Sequence, residues 1–209
     1  MSVLRRLASA KARRDEAPNK ELAKDLARRK DRAAIGELAA NLKSPDPDIQ
    51  SDCVKVLYET GFLDPELIAD YAGEFLGLLG SQNNRMVRGG MIALACIAPL
   101  RAALLYANIE TIKAAMRSGS VITIDNAVKV IAGVAAAKKA YSASLFPILL
   151  THLRTCRPKE IPQHAESALP AVNRDNQEEF LAVLRGRAGD LTPSQAARVQ
   201  RIIRRLEKG

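Results

Sequence analysis

The chain of 209 residues contains no tryptophan, four phenylalanines, four tyrosines, three cysteines and two histidines. Each scarcity excludes something. With so few aromatic rings the core must be built from Ala, Leu, Ile and Val, a composition that suits closely packed helices because alanine has the best helix propensity. The same scarcity leaves little to stack bases on, which a single-stranded nucleic-acid platform needs. Cys53, Cys96 and Cys156 are odd in number and widely spaced, with no CxxC pair. They point away from a disulfide framework and towards reduced thiols in the cytoplasm. No apolar run approaches the roughly 20 residues that span a bilayer. The N-terminus has arginines but no apolar stretch of the secretory kind, and Asp15 and Glu16 argue against an organelle transit peptide. There is no P-loop, no GxGxxG and no HExxH.

What is present is helical. Apolar residues make up 47% of the chain, enough for a substantial core without disulfides or metals. Asn19 reads as the N-cap of a long helix to Leu42, with a possible bend at Lys30–Asp31–Arg32. Ser44-Pro45-Asp46-Pro47 is a turn in which Asp46 caps the next helix and Pro47 takes its first position. Asp64-Pro65 and Thr192-Pro193 repeat that signature, and Gln195 completes a capping box with Thr192. Ahead of these, 1–18 reads as a basic N-terminal arm or short helix, with 19–209 as a single repeat domain.

A shift of 37 residues aligns the chain with itself. Leu42 falls on Leu79, Met116 and Leu153. Leu38 falls on Phe75, Ile112 and Leu149, and Leu57 on Leu94, Ile131 and Ala168. Cys53 falls on Gly90, Ala127 and His164. The repeat predicts about five helical hairpins, in units near 19–61, 62–98, 99–138, 139–173 and 174–209. First helices are expected near 20–43, 65–80, 102–117, 144–156 and 176–185. Second helices are expected near 47–60, 84–98, 121–138, 161–172 and 193–207. No hairpin buries its apolar stripe alone, so neighbours must stack.

The stretch Leu42–Gly61, with its SPDPD turn, Ile49-Gln50, small Cys53, Leu57 and closing Gly61, resembles the HEAT repeat family. Val87-Arg88, Ala93, Leu94 and Ala98 in the second unit extend the likeness. The resemblance implies an all-α fold, an α-α superhelix (a right-handed solenoid of the armadillo type). It also implies a concave surface lined by the second helices, here Asp52, Lys55, Glu59, Arg88, Asn126, Lys129, Gln163 and Glu166. Mixed charge there fits a protein ligand. The first function expected is therefore a non-enzymatic interaction scaffold in the cytoplasm.

The formal net charge of +9 sits at the ends. Residues 1–32 hold 11 Lys/Arg against 5 Asp/Glu, residues 174–209 hold 8 against 5, and the middle holds 13 against 13. The alternative is accordingly a DNA-binding protein, similar to the HEAT-like alkylpurine DNA glycosylases. It would grip phosphates through Arg5, Arg6, Arg13, Arg14, Arg28, Arg29 and Arg32 at one end and Arg198, Arg201, Arg204 and Arg205 at the other. That family relies on a tryptophan this chain lacks. A third reading, an accessory role like that of HEAT-containing chromophore lyases, rests on fold analogy alone.

For chemistry, His152 and Cys156 lie four apart and His164 across the expected hairpin, a combination zinc accepts. The repeat columns argue against it. His164 falls among small residues facing the hairpin interface, whereas His152 falls with Asn41, Leu78 and Ala115. The reading is no catalytic residue, no cofactor and no metal. Tyr71 and Phe75, four apart, are a further candidate anchor, with Phe75 assigned to the core by its column.

Overall fold

The structure, a computed structural model, describes residues 2–11, 13 and 15–208, and these are helical with no strand. The helices are α1 Ala17–Arg29, α2 Arg32–Ala40, α3 Pro47–Leu63, α4 Ala72–Leu78, α5 Asn84–Ile97, α6 Ala102–Ala107, α7 Ile109–Ser118 and α8 Val121–Ala137. They continue with α9 Lys139–Thr155, α10 Ile161–Ala168, α11 Gln177–Gly186 and α12 Pro193–Glu207. Short 3-10 turns join several of them. Among the described residues, no helix is long and apolar enough to cross a membrane.

The second helices of the repeat match their expected spans closely. The first helices of the first three units are broken, whereas α9 and α11 each run as one helix. Lys30 adopts a left-handed conformation (φ 51°) that ends α1, and Asp31 caps α2 by accepting from Ala34 N at 3.1 Å. The bend anticipated at 30–32 is thus a full break. A second break falls at Asn108, between α6 and α7. The segment 65–71 winds as two 3-10 turns before α4. Units of three helices rather than two are one form of armadillo-type repeat. Asn19 is not an N-cap. Proline tolerates the first turn of a helix, so α1 begins earlier, at Ala17 after Glu16, with Pro18 in that turn. Asn19 is buried inside the helix instead.

The caps that define α3 and α12 are as expected. Asp46 Oδ1 accepts from Asp48 N at 2.9 Å, and Gln195 Oε1 accepts from Thr192 N at 3.0 Å.

The chain forms two compact units, 1–127 and 128–209. In the first, α3 packs against α1, α2 and α5, and α5 against α4. In the second, α10 packs on α9 and α12, and α11 on α9 and α12. The repeat columns are the core. Leu38, Phe75, Ile112 and Leu149 are buried, as are Leu57, Leu94, Ile131 and Ala168. The small-residue column is buried throughout. At Gly90 a Cβ would stand 2.9 Å from the Phe75 carbonyl and 2.9 Å from Leu78 Cβ, so glycine lets α5 lie directly on α4.

Candidate protein-binding surface

The N-terminal arm is packed rather than loose. Val3, Leu7 and Ala8 are buried, and two 3-10 turns, Val3–Arg6 and Ser9–Lys11, fold them down. Glu37 accepts from the Val3 amide at 3.1 Å and from the Ser2 hydroxyl. Asp52 on α3 holds the other end. Its carboxylate accepts from Ser9 N at 2.7 Å and from Asn19 Nδ2 at 2.6 Å, while Asn19 Oδ1 accepts from Ala8 N at 3.0 Å. The buried Asn19 amide thus joins arm, α1 and α3.

Between the arm and α1, α3 and α5 lies an open cleft of about 390 Å³. Its walls carry Asp48, Asp52, Lys55 and Tyr58 from α3, Arg85 and Arg88 from α5, and Ser9, Arg13 and Glu16 from the arm and its junction with α1. Lys55 Nζ sits 2.8 Å from Glu16 Oε2, 2.8 Å from Glu59 Oε1 and 4.9 Å from the Tyr58 ring centroid. Burial alone would lower the Lys55 pKa, but the hydrogen bonds to the two glutamates outweigh it and hold the ammonium above the usual lysine range. The Lys55 hydrogen bond in turn holds Glu16 below the usual carboxylate range, with smaller help from Lys20 and Arg88. Arg85 and Arg88 have no ion pair among the described residues. Ser9 Oγ, on the cleft wall, is a buried oxygen without a hydrogen-bond partner there.

Three of the eight concave-face residues, Asp52, Lys55 and Arg88, line this cleft together. Two of them are engaged within the fold. Asp52 is taken up by the arm, and the Lys55 side chain is only 12% exposed, beside Glu59 at 22%. Asn126 is a correction outright. It is 7% exposed, with its amide donating to Ile122 O at 2.8 Å within the helix. Lys129, Gln163 and Glu166, in the second unit, are exposed, with Glu166 paired to Arg198 at 2.6 Å. Phe75 is buried and Tyr71 half-buried.

The N-terminal basic patch is largely ion-paired, whereas in the C-terminal one, among the described residues, only Arg198 is, to Glu166. Arg6, Arg28 and Arg29 converge on Asp25 at 2.9, 2.8 and 3.4 Å. Arg29 also reaches Asp31, Arg13 pairs with Asp15, and Arg32 lies 4.0 Å from Asp70. Arg14 lies outside the described residues. Arg5, Arg201, Arg204 and Arg205 are exposed.

In the second unit the structure brings together what the repeat columns kept apart. His152 Nε2 and His164 Nδ1 are 2.9 Å apart, and the ligand atoms of His152, Cys156 and His164 all lie within 4.8 Å of one another. Burial pushes the Cys156 thiol up, only partly offset by the nearby Arg187 charge. An activated nucleophile needs the opposite shift. Cys53 is more extreme, pushed up to about 12 by burial. Neither thiol has the lowered pKa of an activated nucleophile.

Helix breaks, buried columns and the helix packing within each unit are those of an α-solenoid repeat fold of the armadillo/HEAT type. No protein family matches the chain, and no curated protein resembles it in sequence. Solved structures do resemble it in fold. One is a designed armadillo repeat protein in complex with the peptide (KR)4, at TM-score 0.67 and 16% identity over 87% of this chain and 84% of that one. Another is an engineered protein, at TM-score 0.68 and 17% identity over the full length of both. A third is Kap121p, at TM-score 0.62 and 16% identity over 88% of this chain but only 20% of that one.

Proposed function

We propose that the protein is a non-enzymatic interaction scaffold that binds an extended segment of a partner protein in the cleft between the arm and α1, α3 and α5. The observation that carries this is the unequal use of charge within the cleft. Glu16 and Asp52 are taken by Lys55 and the arm, whereas Arg85 and Arg88 have no ion pair among the described residues. A segment presenting carboxylates would supply partners for both guanidiniums, and Arg matches carboxylate geometry with two parallel hydrogen bonds. Peptide binding by a solenoid of similar fold supports the reading. The three free thiols support a reducing compartment such as the cytoplasm.

The test is affinity capture from the native cell extract with wild type and an Arg85→Glu/Arg88→Glu variant, after circular dichroism shows the two equally folded. At least one partner held by wild type is expected to be lost by the variant. An unchanged partner set would contradict the reading. So would capture abolished by nuclease, which would favour the nucleic-acid alternative instead.

A further inference from the structure

We propose that His152, Cys156 and His164 bind one zinc ion, with Cys156 as thiolate and the fourth position left to water or an incoming ligand. The chain has only two histidines. They lie 12 residues apart, yet their ring nitrogens face each other at 2.9 Å with the thiol alongside. His152 and Cys156 occupy the last turn of α9 and the residue after it. Four residues apart, they share a face. His164 comes from the first turns of α10, and is fully buried. The donor set is two imidazoles and a thiolate, which is zinc chemistry rather than that of magnesium or calcium.

The geometry needs little movement. Zinc–nitrogen bonds of about 2.0–2.1 Å and a zinc–sulfur bond of about 2.3 Å at tetrahedral angles separate two nitrogens by roughly 3.3 Å and nitrogen from sulfur by roughly 3.6 Å. The imidazoles must open by a few tenths of an ångström, and a Cys156 rotamer change brings the sulfur in. The ion then takes the place of the proton the two rings share.

The surrounding groups hold the site's frame. Arg187 donates to the carbonyls of Leu153, Arg154 and Cys156 at 2.8, 2.6 and 3.0 Å, so the end of α9 that carries the cysteine is fixed from α11's side. The connection to α10 is closed by Arg157 and Glu160, whose side chains bond at 2.9 Å. Glu160 interacts electrostatically with both Cys156 and His164, and its negative charge offsets the single positive charge of a zinc–thiolate pair. His152 is half-buried, which gives the ion a route from the surface. Outer groups of this kind orient ligands in metal sites.

The test uses tag-free, full-length protein in reducing, anaerobic buffer. Cobalt(II) titration is expected to give a thiolate-to-cobalt charge-transfer band and tetrahedral visible bands that saturate at one equivalent, displaced by zinc. Cys156→Ser should abolish the charge-transfer band. His152→Asn, at a half-exposed position where the fold is checked by circular dichroism, should weaken binding by at least about 100-fold, the upper end of what losing a mere supporting partner costs. Zinc should raise the thermal midpoint of wild type and leave that of His152→Asn unmoved. Wild type without the band would overturn the proposal. A band retained in Cys156→Ser would do the same by assigning the thiolate to Cys53 or Cys96.

Discussion

At Gly90 the absence of a side chain decides how closely two helices lie. A Cβ there would meet the Phe75 carbonyl and Leu78 Cβ at 2.9 Å, and backbone cannot step aside as a flexible side chain can. Gly90→Ala is therefore expected to destabilise the protein by about 1–3 kcal/mol through overpacking. At Gly77 nothing lies within 4 Å of the same added carbon, and Gly77→Ala should stabilise by about 0.5–1 kcal/mol through helix propensity. Urea unfolding of the two variants checks the opposite signs. The Gly90 position was legible in the sequence, because the 37-residue shift put it beside Cys53 and Ala127. Asn126 and His152 were not. Polarity in a periodic pattern suggests exposure, whereas Asn126 is buried with its amide bonded back to Ile122. A column gives the direction a side chain takes from its own helix but not what meets it across the hairpin, so the His152–His164 contact left no mark on it.

Among the elements, the starts of α3 and α12 were legible because Asp46-Pro47 and Thr192-Pro193 carry their instructions locally, whereas Asp64-Pro65 opens only a 3-10 turn without a side-chain cap and Asn19 lies inside α1. The break at Lys30 was read only as a bend, since a left-handed residue other than glycine leaves no clear signature. The docking of the arm left none at all. Its hydrogen bond from Ser9 to Asp52 spans 43 residues, and nothing in either stretch names the other. That docking should depend on pH. Glu16 has a lowered pKa, so its stabilising pairing with Lys55 is present above the ordinary glutamate value of about 4.3 and is lost as pH falls through the lower folded value. Lys55 has a raised pKa, so its contribution is present below the ordinary lysine value of about 10.4 and is lost as pH rises through the higher folded value. Amide-exchange protection across 3–11, corrected for intrinsic rates, is thus expected to hold through neutral pH and fall in acid below about pH 4. Glu16→Gln should show reduced protection already at neutral pH. Protection in that variant equal to wild type would sever the arm from the ion pair.

For the molecule as a whole, the stacked-helix class followed from composition and repeat, and the similarity in fold to designed armadillo repeat proteins bears it out. The distribution of charge was visible in the sequence, but its disposition was not. Five of the N-terminal arginines sit in ion pairs with Asp15, Asp25, Asp31 or Asp70, which leaves less for phosphates than a count of residues suggests. The candidate surface was half legible. Asp52, Lys55 and Arg88 do share one cleft, yet the arm that forms its other wall could be found only in the folded chain. The most direct test of the cleft as the binding surface is photo-crosslinking in the living cell. A benzophenone amino acid would replace Asp48 or Ser51 on the cleft wall and, as controls, exposed Thr151 and Gln200 in the second unit. The account predicts a discrete protein adduct from both cleft positions and none from the controls. Adducts from the control positions alone would contradict it.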